Sequence, residues 1–199
     1  MGSCVSNIRR PLERVSRLGI KVQAPVFGSR KKPDGTVIKW ERATVGQGEP
    51  GTTLPFLIED ITPRSYRVQT SASTKGTGLT GVAVVVLGVK DLNASIALFR
   101  RVYGLPAPAV QDNPGFGAKL AYFEGTPVML AAPLVRNSWL SNRLARFGDC
   151  PAAFLLGTRD FKATAAHFSL RNATQWFNRK VSWFDTKKLQ GVKLGIISR

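Results

Sequence analysis

Residues 82–89 (VAVVVLGV) form an unbroken apolar run, and residues 91–104 (DLNASIALFRRVYG) change at once to helical spacing. A β-branched run without polar alternation predicts a strand covered on both faces. Leu92, Ile96, Phe99 and Tyr103 then recur along one side of a predicted helix. Asp91 stands at the N-cap position, where a carboxylate accepts the free amides of a first turn. Gly104 stands where a left-handed residue ends a helix. Three more strands, running to Ala132, complete a β-α-β-β-β unit.

The same order is written elsewhere in the chain. Residues 11–18 predict a short helix with Leu12, Val15 and Leu18 or Gly19 inward and Gly19 as its stop. A hairpin follows over residues 22–42, reversed at Lys32-Pro33-Asp34-Gly35, because proline presets its backbone angle and glycine accepts a positive one. Residues 54–61 predict another strand, and residues 62–81, rich in Ser, Thr and Gly, a connection. A joining helix over 138–147 places Leu140, Leu144 and Phe147 on one side, with Gly148 closing it. AAFLLGTRDF, from Ala152, repeats the pattern of VVVLGVKDL, with Asp160 as the second aspartate cap and Phe161, Ala165 and Phe168 as the stripe. Strands over 181–185 and 192–198 end this third copy. The first copy is expected to lack its leading strand, since only residues 1–8 precede its helix. The expected division is an N-terminal segment (1–10), an incomplete first module (11–68), a linker (69–80), a second module (81–135), and a joining helix with a third module (136–199).

Composition narrows the class. The chain has 199 residues, 43% of them hydrophobic and 9% aromatic, which suits a globular protein with a real core. No apolar run is long enough to cross a bilayer. Cys4 and Cys150 are too few for a disulfide framework and have no metal-type spacing, so a reducing, cytoplasmic setting is the simplest. The net charge of +17 raises the prospect of an anionic partner. The basic residues nevertheless come in scattered groups (Arg9-Arg10, Arg30-Lys31-Lys32, Arg100-Arg101, Lys187-Lys188), the pattern of a solvated face rather than a nucleic-acid site.

The opening MGSCVS fits the acylation pattern M-G-x-x-x-[ST], with Gly2 as acceptor and Cys4 as a second acyl site. One acyl chain alone would give only weak membrane-surface association, so a second chain at Cys4 or the attraction of Arg9-Arg10 to anionic lipid would matter. An ordinary start followed by small residues reads equally well, and an Arg-rich organelle presequence is a third reading.

GSRKKPDGTVIKW (28–40), LPFLIED (54–60), GVKDL (88–92) and RLARFGDCPAAFLLG (143–157), in this order and spacing, make the chain resemble the glyoxalase-like branch of the vicinal oxygen chelate superfamily. The resemblance implies an α+β fold of repeated βαβββ modules (glyoxalase/bleomycin-resistance-like), with mixed curled β-sheets and flanking helices. Each pair of modules would wrap a small-molecule cavity. It also implies a chain trimmed at its front by one module. Members that perform chemistry hold a divalent metal through His, Glu or Gln side chains of first and last strands. The matching positions here fall near Val84, Ala153, Met129 and Gly195, none of which can hold a hard or borderline cation. No cofactor is therefore expected.

Few side chains are candidates for chemistry. His167 is the only histidine and lies at the edge of its helix stripe, where a structural role is the simpler reading. Glu59 is the one last-strand carboxylate in the expected place and the candidate catalytic base; Asp60 beside it points to the other strand face. Arg30, Trp40, Arg64 and Tyr66 are the candidate ligand contacts, an arginine near an aromatic wall suiting a carboxylate or phosphate. Three functions stand at this point. The first is a small organic ligand bound between paired modules, with no metal chemistry. The second is a metal-dependent lyase or dioxygenase whose ligands a homodimer partner completes. The third is a basic membrane- or nucleic-acid-associated adaptor with no active site.

Overall fold

A computed structural model describes residues 2–4, 7–46, 54–69, 71–187, 189 and 192–198. The chain divides into two compact units, Met1–Gln69 and Thr70–Arg199.

The first unit runs β1 (Gly2–Cys4), α1 (Arg9–Arg17), β2 (Val26–Lys31), β3 (Val37–Ala43), β4 (Phe56–Asp60) and α2 (Arg64–Arg67). Its sheet has the order β1-β4-β3-β2, with β1 parallel to β4 and the other pairs antiparallel. The expected absence of a leading strand is corrected: Gly2–Cys4 fills that place, opposite Phe56, Leu57 and Ile58. Three residues of mixed character carry no periodic signal, and their strand exists only through a partner far along the chain. Helix α1 begins two residues before the expected start. Its first turn is capped not by a neighbour alone but by Glu59, whose carboxylate accepts the Ile8 N–H at 2.9 Å. Leu12 and Val15 are buried as expected, whereas Leu18 is exposed. At the hairpin, Gly35 has φ +85° and its amide donates to the Lys32 carbonyl. The Lys32 ammonium and the Thr36 amide, both at 2.9 Å, hold the Asp34 carboxyl down to about 2.

The second unit runs β5 (Leu79–Gly88), α3 (Leu92–Tyr103), β6 (Ala109–Asn113), β7 (Ala118–Tyr122), β8 (Val128–Pro133), α4 (Trp139–Phe147), β9 (Cys150–Thr158), α5 (Phe161–His167), β10 (Thr174–Trp176), β11 (Arg179–Trp183) and β12 (Lys193–Ser198). One mixed, curled eight-stranded sheet results, in the order β10-β11-β12-β9-β5-β8-β7-β6. Each half repeats one plan, the first strand parallel to the fourth: β5 with β8, β9 with β12. The two first strands, β5 and β9, join the halves antiparallel. The short β10 was not expected; its three residues pair only with β11.

Both aspartate caps form. The Asp91 carboxylate accepts the Ala94 amide and that of Asp160 the Ala163 amide, each at 2.9 Å, and Gly104 ends α3 at φ +66°. Asp91→Ala and Asp160→Ala are each expected to lower the unfolding free energy by about 1 kcal/mol, measured by urea denaturation; a change near zero in either would deny that cap its role.

Alternation sorts the sheet into two faces. The outer face carries α3 and α5: Phe99 of α3 stacks on Phe123 at 6.1 Å, and Thr164 of α5 meets Thr158 in a buried hydroxyl pair at 2.5 Å. The inner face carries Val84, Val86, Met129, Ala131, Ala153 and Leu155, covered by Leu140 and Leu144 of α4. Gly88 lets α4 pack close here, a Cβ lying 2.9 Å from the Leu140 side chain. The expected third member of the α4 stripe, Phe147, is instead 52% exposed.

Candidate functional site

The inner face of the second unit is filled by rings. Phe116, in the turn after β6, stacks on Trp183 at 5.3 Å and meets Trp176 and Trp139 edge-on at 4.8 and 5.1 Å. Its turn is pinned twice: the Asn113 side chain accepts the Phe116 amide at 2.9 Å, and the Phe116 carbonyl accepts the Trp139 indole N–H at 2.7 Å. Trp176 is buried and its indole N–H has no acceptor among the described residues. Further along the face, Arg179 donates to the Tyr122 hydroxyl at 3.2 Å and to the Ser198 carbonyl at 2.8 Å.

The four positions where the resemblance puts metal ligands lie on this face. Val84, Met129 and Ala153 belong to its packed core. At Gly195 not even a methyl fits, since a Cβ would lie 2.7 Å from the Ser182 carbonyl oxygen and 3.0 Å from Leu155. Among the described residues, no group of three His, Cys, Asp or Glu side chains could hold a metal ion. The nearest inner-face charges, Arg179 and Lys193, would repel a cation. The donor set does not fit a divalent metal.

A concavity opens between the joining helix α4 and the first residues of β9 and β12, with a volume of about 450 Å³. Trp139, Phe147, Phe154 and Val192 give it apolar walls, and Arg143, Arg146 and Lys193 bring positive charge; among the described residues no carboxylate lines it. Arg143 is fixed by donating from Nε and Nη2 to the Pro151 carbonyl at 3.1 and 2.8 Å. Both guanidiniums lie over the Phe147 ring, at 5.3 and 4.9 Å from its centre. This contact explains the exposed Phe147: it is a platform for cations, not a core residue. Lys193 reaches onto the inner face, its Nζ 4.4 Å from the centre of the Trp139 ring. Burial pushes its ammonium below the usual lysine range.

The residues singled out from sequence lie elsewhere, in the first unit. Glu59 caps α1 at Ile8, and Asp60, on the other face, holds Arg67 through two bonds of 2.6 and 2.8 Å. Trp40 lies flat against Gly28, where a Cβ would stand 2.7 Å from the ring. Arg30 shares that sheet face by register, whereas Arg64 and Tyr66 are exposed on α2. No side-chain hydrogen bond or ring contact joins these four among the described residues. Gly2 and Cys4, the candidate acyl sites, lie in β1, and the surroundings of both are outside what the structure describes. His167 is exposed, edge-on to Phe168 at 4.7 Å. The groove residues were not anticipated. Their signals were faint: Arg143 and Arg146 one helical turn apart beside Trp139, and a single lysine in the apolar strand VKLGIIS.

Two βαβββ halves joined through their first strands, with the halves' helices outside, define the fold of the vicinal oxygen chelate proteins; the fold expected from the sequence is borne out. Solved structures agree. Methylmalonyl-CoA epimerase from Mycobacterium tuberculosis aligns over 67% of this chain and 94% of its own length, at 19% identity and a TM-score of 0.53. Methylmalonyl-CoA epimerase from Streptomyces coelicolor, solved in complex with 2-nitronate-propionyl-CoA, aligns over 60% of this chain and 94% of its own, at 21% identity and a TM-score of 0.52. A hypothetical protein from Bacillus halodurans aligns over 59% and 93%, at 14% identity and a TM-score of 0.50. At such identities the likeness speaks for the fold alone. No protein-family model and no curated protein matches the chain. Among the described residues no helix is long and apolar enough to cross a membrane.

Proposed function

We propose that the second unit binds a small organic ligand in the groove between its joining helix α4 and the starts of β9 and β12, and that binding needs no divalent metal. The observation that carries this is the groove itself: an open concavity of about 450 Å³ beside α4. It has the apolar walls and few convergent polar groups of small-molecule sites. The inner face, where proteins of this fold would chelate a metal, is closed by Phe116, Trp139, Trp176 and Trp183. That a similar structure was solved with a coenzyme A derivative is in keeping with a ligand-binding role, though the reading rests on the groove.

The test is a calorimetric screen of small organic compounds against the full chain, in chelator and again with added zinc or manganese. Hits should bind equally in both, and Asn142→Trp, a change on the exposed side of α4 that fills the groove, should abolish them. Binding that appears only with metal, or that survives Asn142→Trp, would overturn the proposal.

A further inference from the structure

We infer that the ligand of this groove is an organic anion, its carboxylate or phosphate head met by Lys193, Arg143 and Arg146 and its apolar body laid against Trp139 and Phe154. This rests on the groove reading above and names the ligand's chemistry.

The charge balance carries the argument. Three cations face one concavity of about 450 Å³, and among the described residues no Asp or Glu lines it. The surface ion pair of Lys119 with Asp112 lies elsewhere, and the Lys193 Nζ forms no hydrogen bond or ion pair among the described residues. A lysine held by ring faces has given up part of its water without gaining a counter-charge, and the partial burial that weakens its hold on the proton goes with that loss. An anion reverses it: the same low-dielectric surroundings that penalise the lone ammonium strengthen its pairing.

The two arginines are arranged for such a partner rather than for each other. Arg143 is immobilised on the Pro151 carbonyl, so its position needs no ordering when a ligand arrives. Arg146 has no ion pair among the described residues and is held over Phe147. A fixed guanidinium with donors to spare is the form of arginine that recognises carboxylate and phosphate. The rest of the lining sets the other end of the ligand. Trp139, Phe154 and Val192 are apolar, and a fully hydrophilic anion would leave them facing its polar groups. A cationic or neutral ligand would leave the three charges unmatched.

The probes are 1-naphthylacetate, its neutral primary amide, the corresponding naphthylethylamine, and 1-naphthyl phosphate, titrated into the full chain by calorimetry with tryptophan fluorescence as a second signal. A charge-assisted contact is stronger than a neutral one, so the acid should bind about tenfold or more tighter than the amide, and the amine should bind least. The acid and phosphate arms tell which head group the three cations prefer. Lys193→Met should weaken the anion about tenfold and leave the amide unchanged, while Lys193→Arg keeps the charge and most of the affinity. Melting temperatures of both variants separate lost binding from lost folding, and Arg146→Ala, at an exposed position, gives a second readout that does not touch the core. Equal affinity for acid and amide, or no loss in Lys193→Met and Arg146→Ala, would overturn the anion inference and leave the groove reading standing. Failure of all four probes to bind would likewise overturn the anion inference, while the groove reading answers to the wider screen and to Asn142→Trp.

Discussion

Phe116→Ala is expected to lower the unfolding free energy of the second unit by about 3–5 kcal/mol, the range for deleting a buried phenylalanine side chain. The effect should lie at the upper end because Phe116 is where the inner-face rings meet: Trp139, Trp176 and Trp183 all have their ring centres within 5.3 Å of its own. Each aromatic pair contributes beyond its buried area. The surroundings can collapse little, since Trp139 is tied to the Phe116 carbonyl and the turn is tied to Asn113. The readouts are urea denaturation and near-ultraviolet circular dichroism, in which the tryptophan bands should weaken together. A loss under about 1 kcal/mol would mean that the rings pack without a hub, contrary to the range expected for a filled core.

The second large effect is expected at Gly195. Gly195→Ala should cost about 2–3 kcal/mol, the upper part of the range for overpacking. The added Cβ would lie 2.7 Å from the Ser182 carbonyl oxygen, 2.9 Å from the Trp183 ring and 3.0 Å from Leu155. The first of these is backbone, and it cannot retreat because β11 and β12 are locked in register through Ser182 with Ile196 and Trp183 with Gly195. Gly115→Ala is the control: its Cβ would find only Asn113 at an ordinary 3.7 Å, with no positive φ, so the change should stay within about 0.5 kcal/mol. Equal behaviour of the two glycines in thermal and urea denaturation would count against the geometry. The same crowding bears on function. A carboxylate or imidazole at position 195, where the resemblance would place a chelating side chain, has no room for its first carbon.

The candidate site was far less legible than the fold. Arg30, Trp40, Arg64, Tyr66 and Glu59 were read from motifs in the first unit, where the structure finds a ring on Gly28, a helix cap at Ile8 and two exposed side chains on α2. The groove residues come from three segments, α4 and the starts of β9 and β12, and no local window contains them all. Phe147 shows the difficulty. Its spacing from Leu140 and Leu144 is that of a core stripe, yet the helix turns its last residue out to meet Arg143 and Arg146. Periodicity gives a direction around the helix axis; whether anything waits in that direction is a property of the neighbours.

What the amino-acid order determined alone was local: the buried run before Asp91, the caps at Asp91 and Asp160, the helix stop at Gly104, the Pro-Asp-Gly reversal, and the repetition of one β-α-β-β-β plan. These need only backbone preferences and a period of two or 3.6 residues, which a short window contains. Tertiary structure alone decided that Gly2–Cys4 and Thr174–Trp176 are strands, that β5 pairs with β9, and that Lys193 meets Trp139 across a shared groove. Strand pairing and charge environment depend on which distant segments become neighbours, and that is settled by the packing of the whole unit rather than by any stretch of it.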